Sequence, residues 1–280
     1  MPVSVKNISV AHTKPTLIFK IRDWLDQDRF EKLAESFPPS DKAQEEQNKK
    51  LTFNVECDGF QKFLKTNPPW REFHEDMINP RLLHELNDIY NDYHGRDEKW
   101  IIGRNYIFNL INKFIFSKNL VELKLTFSYL PKGAFIVPHT DAPKKLVSLM
   151  LYFPSSNNKL TKQNGTKFWR FKSENSKNYL NWENKKFAPD SYSAFYADAE
   201  CFYETEFVKN RLYGFLKTDL SWHSVDRIEV PKGDSRNSIN ININKIDALG
   251  SVTKNARKLP ARMRAFATSG LAYVKRSVSN

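Results

Sequence analysis

From Val121 onward the apolar residues of this chain return at every second position. Val121, Leu123, Leu125, Phe127 and Tyr129 form one such series, Val147, Leu149, Leu151 and Phe153 a second, and Ile239, Ile241 and Ile243 a third. Successive side chains of a strand point to opposite faces, so a period of two describes a ribbon with one packed face, and a helix cannot satisfy it. Strands are predicted at 121–130, 134–139, 146–153, 166–171, 191–196, 212–217, 222–225 and 236–244. Eight short strands fit a double-sheet jelly roll.

The first 120 residues read differently. Pro15 to Asp26 alternates like a short strand. Asp26 to Phe37 then has Phe30, Leu33, Ala34 and Phe37 at helical spacing, and Pro38 and Pro39 stop it. The charged stretch 40–50 is expected to be an exposed loop, with helices at 58–66, 69–78 and 80–94. The last of these carries Leu82, Leu83, Leu86, Ile89 and Tyr90 on its apolar side. Phe108 to Phe116 reads as another helix or a connection. Helices segregated before strands make the fold class α+β, a double-stranded β-helix (jelly roll, cupin-like barrel) with the N-terminal helices packed on one outer sheet face. We expect one domain over 1–250, with a helical part at 1–120 and a jelly-roll core at 121–246, followed by a basic, helical tail at 251–280. No internal repeat is visible, and the Asn- and Lys-rich stretch 156–186 reads as long surface loops.

Within the strand half, His139-Thr-Asp141 ends an apolar run. Residues i and i+2 of a strand share a face, so this imidazole and this carboxylate can reach one metal ion. His223, in Ser221-Trp-His-Ser-Val225, is the natural third ligand, brought alongside by a second short strand. Two histidines and one carboxylate with open positions opposite describe the site of non-haem Fe(II) oxygenases. His74-Glu-Asp76 repeats the spacing, but Trp70, Phe73 and Met77 around it are spaced as on a helix, and it reads as helix surface. Thirteen residues after His223, the stretch Arg236 to Asn244 alternates strictly, with Arg236, Ser238, Asn240 and Asn242 on one face and isoleucines on the other. The isoleucine face should be packed. The polar face should line a cavity, where a guanidinium followed by a hydroxyl suits a carboxylate held bidentately.

With these elements in this order, residues 121–246 resemble the Fe(II)- and 2-oxoglutarate-dependent oxygenase superfamily, whose pattern is His-x-Asp, a distal His and then Arg-x-Ser. Tyr129, ten residues before His139 and followed by Pro131-Lys-Gly133, is similar to the Tyr and Gly preceding the first metal ligand in its prolyl-4-hydroxylase-like branch. The resemblance implies that His139, Asp141 and His223 bind Fe(II) and that 2-oxoglutarate and O2 are co-substrates. It also implies that Arg236 clamps the distal carboxylate of 2-oxoglutarate, with Ser238 and Tyr129 donating beside it. Leu151 stands where some relatives place another polar contact to the cofactor, which shifts reliance to Arg236. Trp169, Arg170, Lys144 and Lys145 are candidates for the cavity mouth, with packing for Trp169 and solvated charge for the other three as the equal alternative.

The formal charge of +12 raises the question of nucleic acid, but seven of the twelve excess charges lie in 251–280, which has no acidic residue. The nucleic-acid demethylase branch also carries a second Arg six residues after the first. Here that position is Asn242, which argues against base repair. The tail segment Pro260 to Val278 reads as a basic helix, packed on the barrel or on a second subunit, with peripheral contact to an anionic membrane as the other reading. Cys57 and Cys201 are too few for a disulfide framework and read as free thiols. No apolar run approaches the roughly 18 residues that cross a bilayer, and the first residues lack a signal peptide's apolar core. Cytoplasmic location is the default expectation.

The resemblance implies a dioxygenase that hydroxylates an unactivated C–H, with succinate and CO2 as co-products. A small polar metabolite, amino acid or sugar is the preferred substrate. Peptidyl-prolyl or other protein hydroxylation is the alternative within the class. A non-catalytic jelly-roll binding module is the alternative outside it, and the complete ligand set argues against that reading.

Overall fold

The computed structural model describes residues 3–103, 119–154, 164–173 and 189–246. Contacts group the chain into two compact units, 1–96 with 123–244 and 97–122 with 245–280. In that second unit a short strand, β5 (Trp100–Ile102), runs parallel to the first residues of β6 (Asn119–Pro131). The predicted element at Phe108–Phe116 and the tail 251–280 lie outside the described residues.

In the first unit, the strands from β6 onward are β7 (Ile136–His139), β8 (Lys145–Tyr152), β9 (Lys167–Phe171), β10 (Ala199–Glu204), β11 (Leu212–Leu216), β12 (Trp222–Val225) and β13 (Ser235–Lys245). They pair as a long hairpin folded on itself: β6 with β13, β7 with β12, β8 with β11 and β9 with β10. Cross pairs β8–β13 and β9–β12 then divide the eight between two facing sheets, ordered β11-β8-β13-β6 and β10-β9-β12-β7. This nesting is the jelly roll expected from the alternation. The larger sheet is extended past β11 by β2 (Ile18–Ile21) and β1 (Ser9–His12), and past β6 by β4 (Leu51–Asn54) and β3 (Gln44–Glu45).

Helices α1 (Gln27–Glu35), α2 (Phe60–Thr66), α3 (Pro68–Met77) and α4 (Pro80–His94) precede the barrel, as the sequence implied. Asp26 caps α1 by accepting from the N–H groups of Asp28 and Arg29, while Asn79 caps α4 and Gly95 ends it in the left-handed region at φ 59°. Aromatic side chains fasten α1 to α3 to the outer face of the larger sheet. Phe30 stacks on Phe153 at 5.0 Å, Trp70 meets Phe127 edge-on at 4.7 Å, and Phe63 meets Phe127 at 5.7 Å. Phe127 is fully buried, and burying such a ring stabilises by roughly 1.5–3 kcal/mol.

Two expectations need correction. The segment 191–196 is not a strand but part of helix α5 (Pro189–Asp198), and the fifth barrel strand is β10, at 199–204. Phe195 is fully buried against Trp169 and Trp222, while Tyr196 beside it is exposed. One anchored ring sets no period, so alternation was a poor guide there. The stretch 40–50, expected to be loop, contains β3, which pairs with β4.

Candidate metal centre and cofactor cavity

β7 and β12 run antiparallel at the edge of the smaller sheet, with His139 directly opposite His223 and ring centroids 4.3 Å apart. Asp141 follows β7 and turns back toward both rings. Its Oδ1 lies 4.0 Å from His139 Nε2 and its Oδ2 4.0 Å from His223 Nε2, and all three ligand atoms fall within 4.8 Å of one another. These gaps are too long for hydrogen bonds and leave room for a shared ion, whose bonds to such atoms are about 2.0–2.2 Å. Among the described residues this is the one cluster of metal-ligating side chains. His74 is half-buried on α3 and apart from it, and Asp76 pairs with Arg29 at 2.7 Å.

Each imidazole is oriented by the same local device. His139 Nδ1 lies 2.8 Å from the carbonyl of Val137, and His223 Nδ1 lies 2.9 Å from the carbonyl of Ser221. A carbonyl only accepts, so Nδ1 carries the proton and each Nε2 turns a lone pair toward the centre. Burial lowers the pKa of His139, the neighbouring His223 lowers it further, and Asp141 offsets only part, leaving it pushed down to about 3. Burial likewise lowers His223, against the pull of Asp141. Both rings are therefore neutral near pH 7, the form that can bind a metal. Burial opposes ionisation of Asp141, but the Lys145 ammonium, joined in acid by the two imidazoles in their protonated form, outweighs it and holds the carboxyl well below the usual range. Lys145 Nζ donates to Asp141 Oδ1 at 2.6 Å, and Ser148 Oγ lies 3.1 Å from Oδ2.

The centre opens into a cavity of about 230 Å³ between the sheets. Ile136 and Val225 form an apolar wall on the smaller sheet beside the histidines, and Phe215 of β11 meets the His223 ring at 4.8 Å. The larger sheet supplies the opposite floor, and it is polar because the even-numbered residues of β6, β8 and β13 face inward: Thr126 and Ser128, then Ser148, and Ser238, Asn240 and Asn242. Arg236 reaches the same cavity from the start of β13 and is buried. Its Nε donates to the Asn164 carbonyl at 2.6 Å, and the guanidinium lies over the rings of Tyr152 and Phe207 at 4.8 and 5.2 Å. Its Nη2 is buried with no partner among the described residues. Burial lowers its pKa, opposed by Tyr152 and Glu204, but a guanidinium remains charged. A buried cationic donor left unpaired is costly. A carboxylate entering the cavity would relieve that cost, so the chain's residues fit 2-oxoglutarate as well as the metal.

His139, Asp141, His223, Arg236 and Ser238 are thus brought together as expected. Tyr129 is not. Its hydroxyl donates to the Pro38 carbonyl at 2.7 Å and its ring meets Phe37 at 5.5 Å, on the helix-covered face. The alternation of β6 already placed Tyr129 with Phe127, and that packing prevails over the assignment taken from the resemblance. Leu151 also faces away, leaving Tyr152 inward, where its hydroxyl bonds Thr166 and Thr205 at 3.1 and 2.7 Å. Of the mouth candidates, Lys145 lines the cavity. Trp169 is packed with its Nε1 on Ser224 Oγ, Arg170 pairs with Glu200 at the surface, and Lys144 is exposed. The sequence reading missed Ser148 and Tyr152, although the alternation of Val147, Leu149 and Leu151 pointed them inward. It also missed Glu46, Lys50 and Asn54, which edge the cavity from the β3–β4 hairpin.

A jelly roll with a His-x-Asp and distal His triad between its sheets is a 2-oxoglutarate-oxygenase-like fold. No protein-family model matches the chain, and no curated protein does. Among solved structures, a Pseudomonas putida prolyl-4-hydroxylase shares 14% identity, covering 82% of this chain and 92% of its own, with a TM-score of 0.39. HygX from Streptomyces hygroscopicus, solved with nickel, 2-oxoglutarate and hygromycin B bound, shares 9% identity over 81% of this chain and 82% of its own, with a TM-score of 0.43.

Proposed function

We propose that this protein is an Fe(II)- and 2-oxoglutarate-dependent dioxygenase that hydroxylates a C–H bond of a small polar metabolite, amino acid or sugar. The observation that carries this reading is the coexistence, in one cavity, of three convergent ligand atoms and the unpaired Nη2 of buried Arg236. His139, Asp141 and His223 would hold the iron, and Arg236, with Ser238 beside it, would hold the distal carboxylate of 2-oxoglutarate. Bound together, metal and keto acid would supply the oxidising chemistry, in which one oxygen atom of O2 would end in the hydroxylated substrate and the other in succinate, with CO2 released. The protein's part is to orient the imidazoles through Val137 and Ser221, to keep them neutral, and to fix the keto acid by its far end. The small cavity with its hydroxyl and amide floor favours a small polar substrate over a protein segment. Succinate release that requires both Fe(II) and 2-oxoglutarate, and is lost in His223→Ala, tests the reading. Metal-independent or absent turnover with every substrate class would favour a binding module.

A further inference from the structure

Among the described residues, the charges lining the cavity do not balance. Of these lining residues, Lys50, Lys145 and Arg236 are cations and Glu46 and Asp141 are carboxylates, while each histidine has its Nδ1 on a backbone carbonyl and its Nε2 lone pair turned to the centre. On the oxygenase reading above, on which this inference rests, a divalent metal and a dianionic keto acid cancel one another. One positive charge is left over. Arg236 is committed to the keto acid, and Lys50 pairs with Glu46 at 3.0 Å. Lys145 is the cation without a lasting counter-charge, because its partner Asp141 is the carboxylate a metal would claim. The Lys145 ammonium, largely shielded from solvent, would then stand beside a dication in a site of low dielectric, an arrangement that calls for an anion.

The rest of the cavity says what kind of anion. The side chains of Thr126, Ser128, Ser238 and Asn240 face the cavity and make no hydrogen bond to another described residue. They offer hydroxyl and amide groups on one side, while Ile136 and Val225 close the other with apolar surface.

We propose that the substrate is a carboxylic acid of net charge −1 that also carries hydroxyl or amide groups. Its carboxylate is held by Lys145 and its polar groups lie on the floor formed by β6 and β13. Sugar acids and N-acylated amino acids have this chemistry, whereas a free amino acid with an uncharged side chain is net neutral and a phosphate monoester carries close to two negative charges. Lys145 lies in contact with a metal ligand, so the carbon to be oxidised is within a few bonds of the carboxyl group.

The test uses the full chain without oxygen, loaded with Mn(II) and 2-oxoglutarate, whose binding is measured first by calorimetry. Gluconate, glucuronate and N-acetyl amino acids are then titrated against their amides or methyl esters, free amino acids and glucose 6-phosphate. An acid should bind roughly tenfold or more tightly than its neutral counterpart, as expected for a charge-assisted contact. Lys145→Gln should erase that preference and Lys145→Arg should keep it. A residue that merely orients Asp141 would instead weaken acid and neutral partner by the same factor. Equal binding of acids and neutral partners, preference for the phosphate, no binding by any acid, or an acid preference that survives Lys145→Gln overturns the proposal while leaving the oxygenase reading intact. Failure of Mn(II) and 2-oxoglutarate to bind at all overturns both.

Discussion

His139 and His223 face one another across β7 and β12 with ring centroids 4.3 Å apart, and each fixes its tautomer on the carbonyl two residues before it. The pair is therefore built to present two lone pairs to one point, where Asp141 completes the set. One divalent ion per chain should bind. His223→Ala and Asp141→Ala should each remove saturable Mn(II) or Co(II) binding, read by calorimetry, with the fold retained by circular dichroism. Undiminished stoichiometry in both variants would place the metal elsewhere.

Arg236→Ala should weaken 2-oxoglutarate by roughly 3–5 kcal/mol, the usual cost of leaving one partner of a buried charge pair alone. Metal affinity should change far less, since the guanidinium does not touch the triad. Arg236→Lys should recover only part, because an ammonium cannot supply two parallel bonds. Titration of each variant with 2-oxoglutarate at saturating Mn(II) measures this, and unchanged affinity in Arg236→Ala would contradict it.

Tyr129→Phe separates structure from catalysis. Losing the bond to Pro38 and leaving that carbonyl unmet should cost about 1–3 kcal/mol of stability. The 2-oxoglutarate affinity should stay as it was, because Tyr129 is on the helix-covered face. Urea unfolding and ligand titration together check both halves.

Gly165 sits where a Cβ would fall inside the Thr205 carbonyl oxygen. Gly165→Ala must push apart the strand ends that hold Thr166 and Thr205 on the Tyr152 hydroxyl, and with them the Asn164 carbonyl on Arg236. Overpacking of this kind costs about 1–3 kcal/mol or more. We expect a lower Tm together with weaker 2-oxoglutarate binding, whereas a variant with native Tm would show that this close approach carries no weight.

Acid should destabilise the metal-free protein. The pKa of His139 falls from 6.5 to about 3 in the fold, and that of His223 falls too. Below about 6.5 the unfolded chain takes up protons the native site refuses, so stability drops as pH falls, by at most about 1.4 kcal/mol per pH unit for each histidine. Asp141, held low in the fold, adds a loss of the same sign once pH falls below its ordinary 3.8. Urea midpoints between pH 7 and 4 should slope accordingly, and His139→Gln should flatten the slope. An identical slope in that variant would mean the imidazole titrates normally.

Much of the barrel was legible in the sequence because the period of two is a local consequence of strand geometry. Ile239, Ile241 and Ile243 had to face one way and Arg236, Ser238 and Asn240 the other, whatever the sheet around them. The triad was legible for a related reason, since His139 and Asp141 are near neighbours in the chain. What the alternation could not give was a partner for each strand. Nothing local says that β12 lies against β7, that Asn164 turns its carbonyl to Arg236, or that Lys145 reaches Asp141. The helix at 189–198 was missed because its one described, fully buried ring leaves no period to read. Tyr129 shows the converse, for the alternation of β6 placed it correctly and a borrowed role misplaced it. The faces of the strands were set by the sequence alone. Which faces meet, and hence which charges share a cavity, was decided by the tertiary fold, because buried apolar surface and unpaired buried donors are satisfied only by residues far apart in the chain.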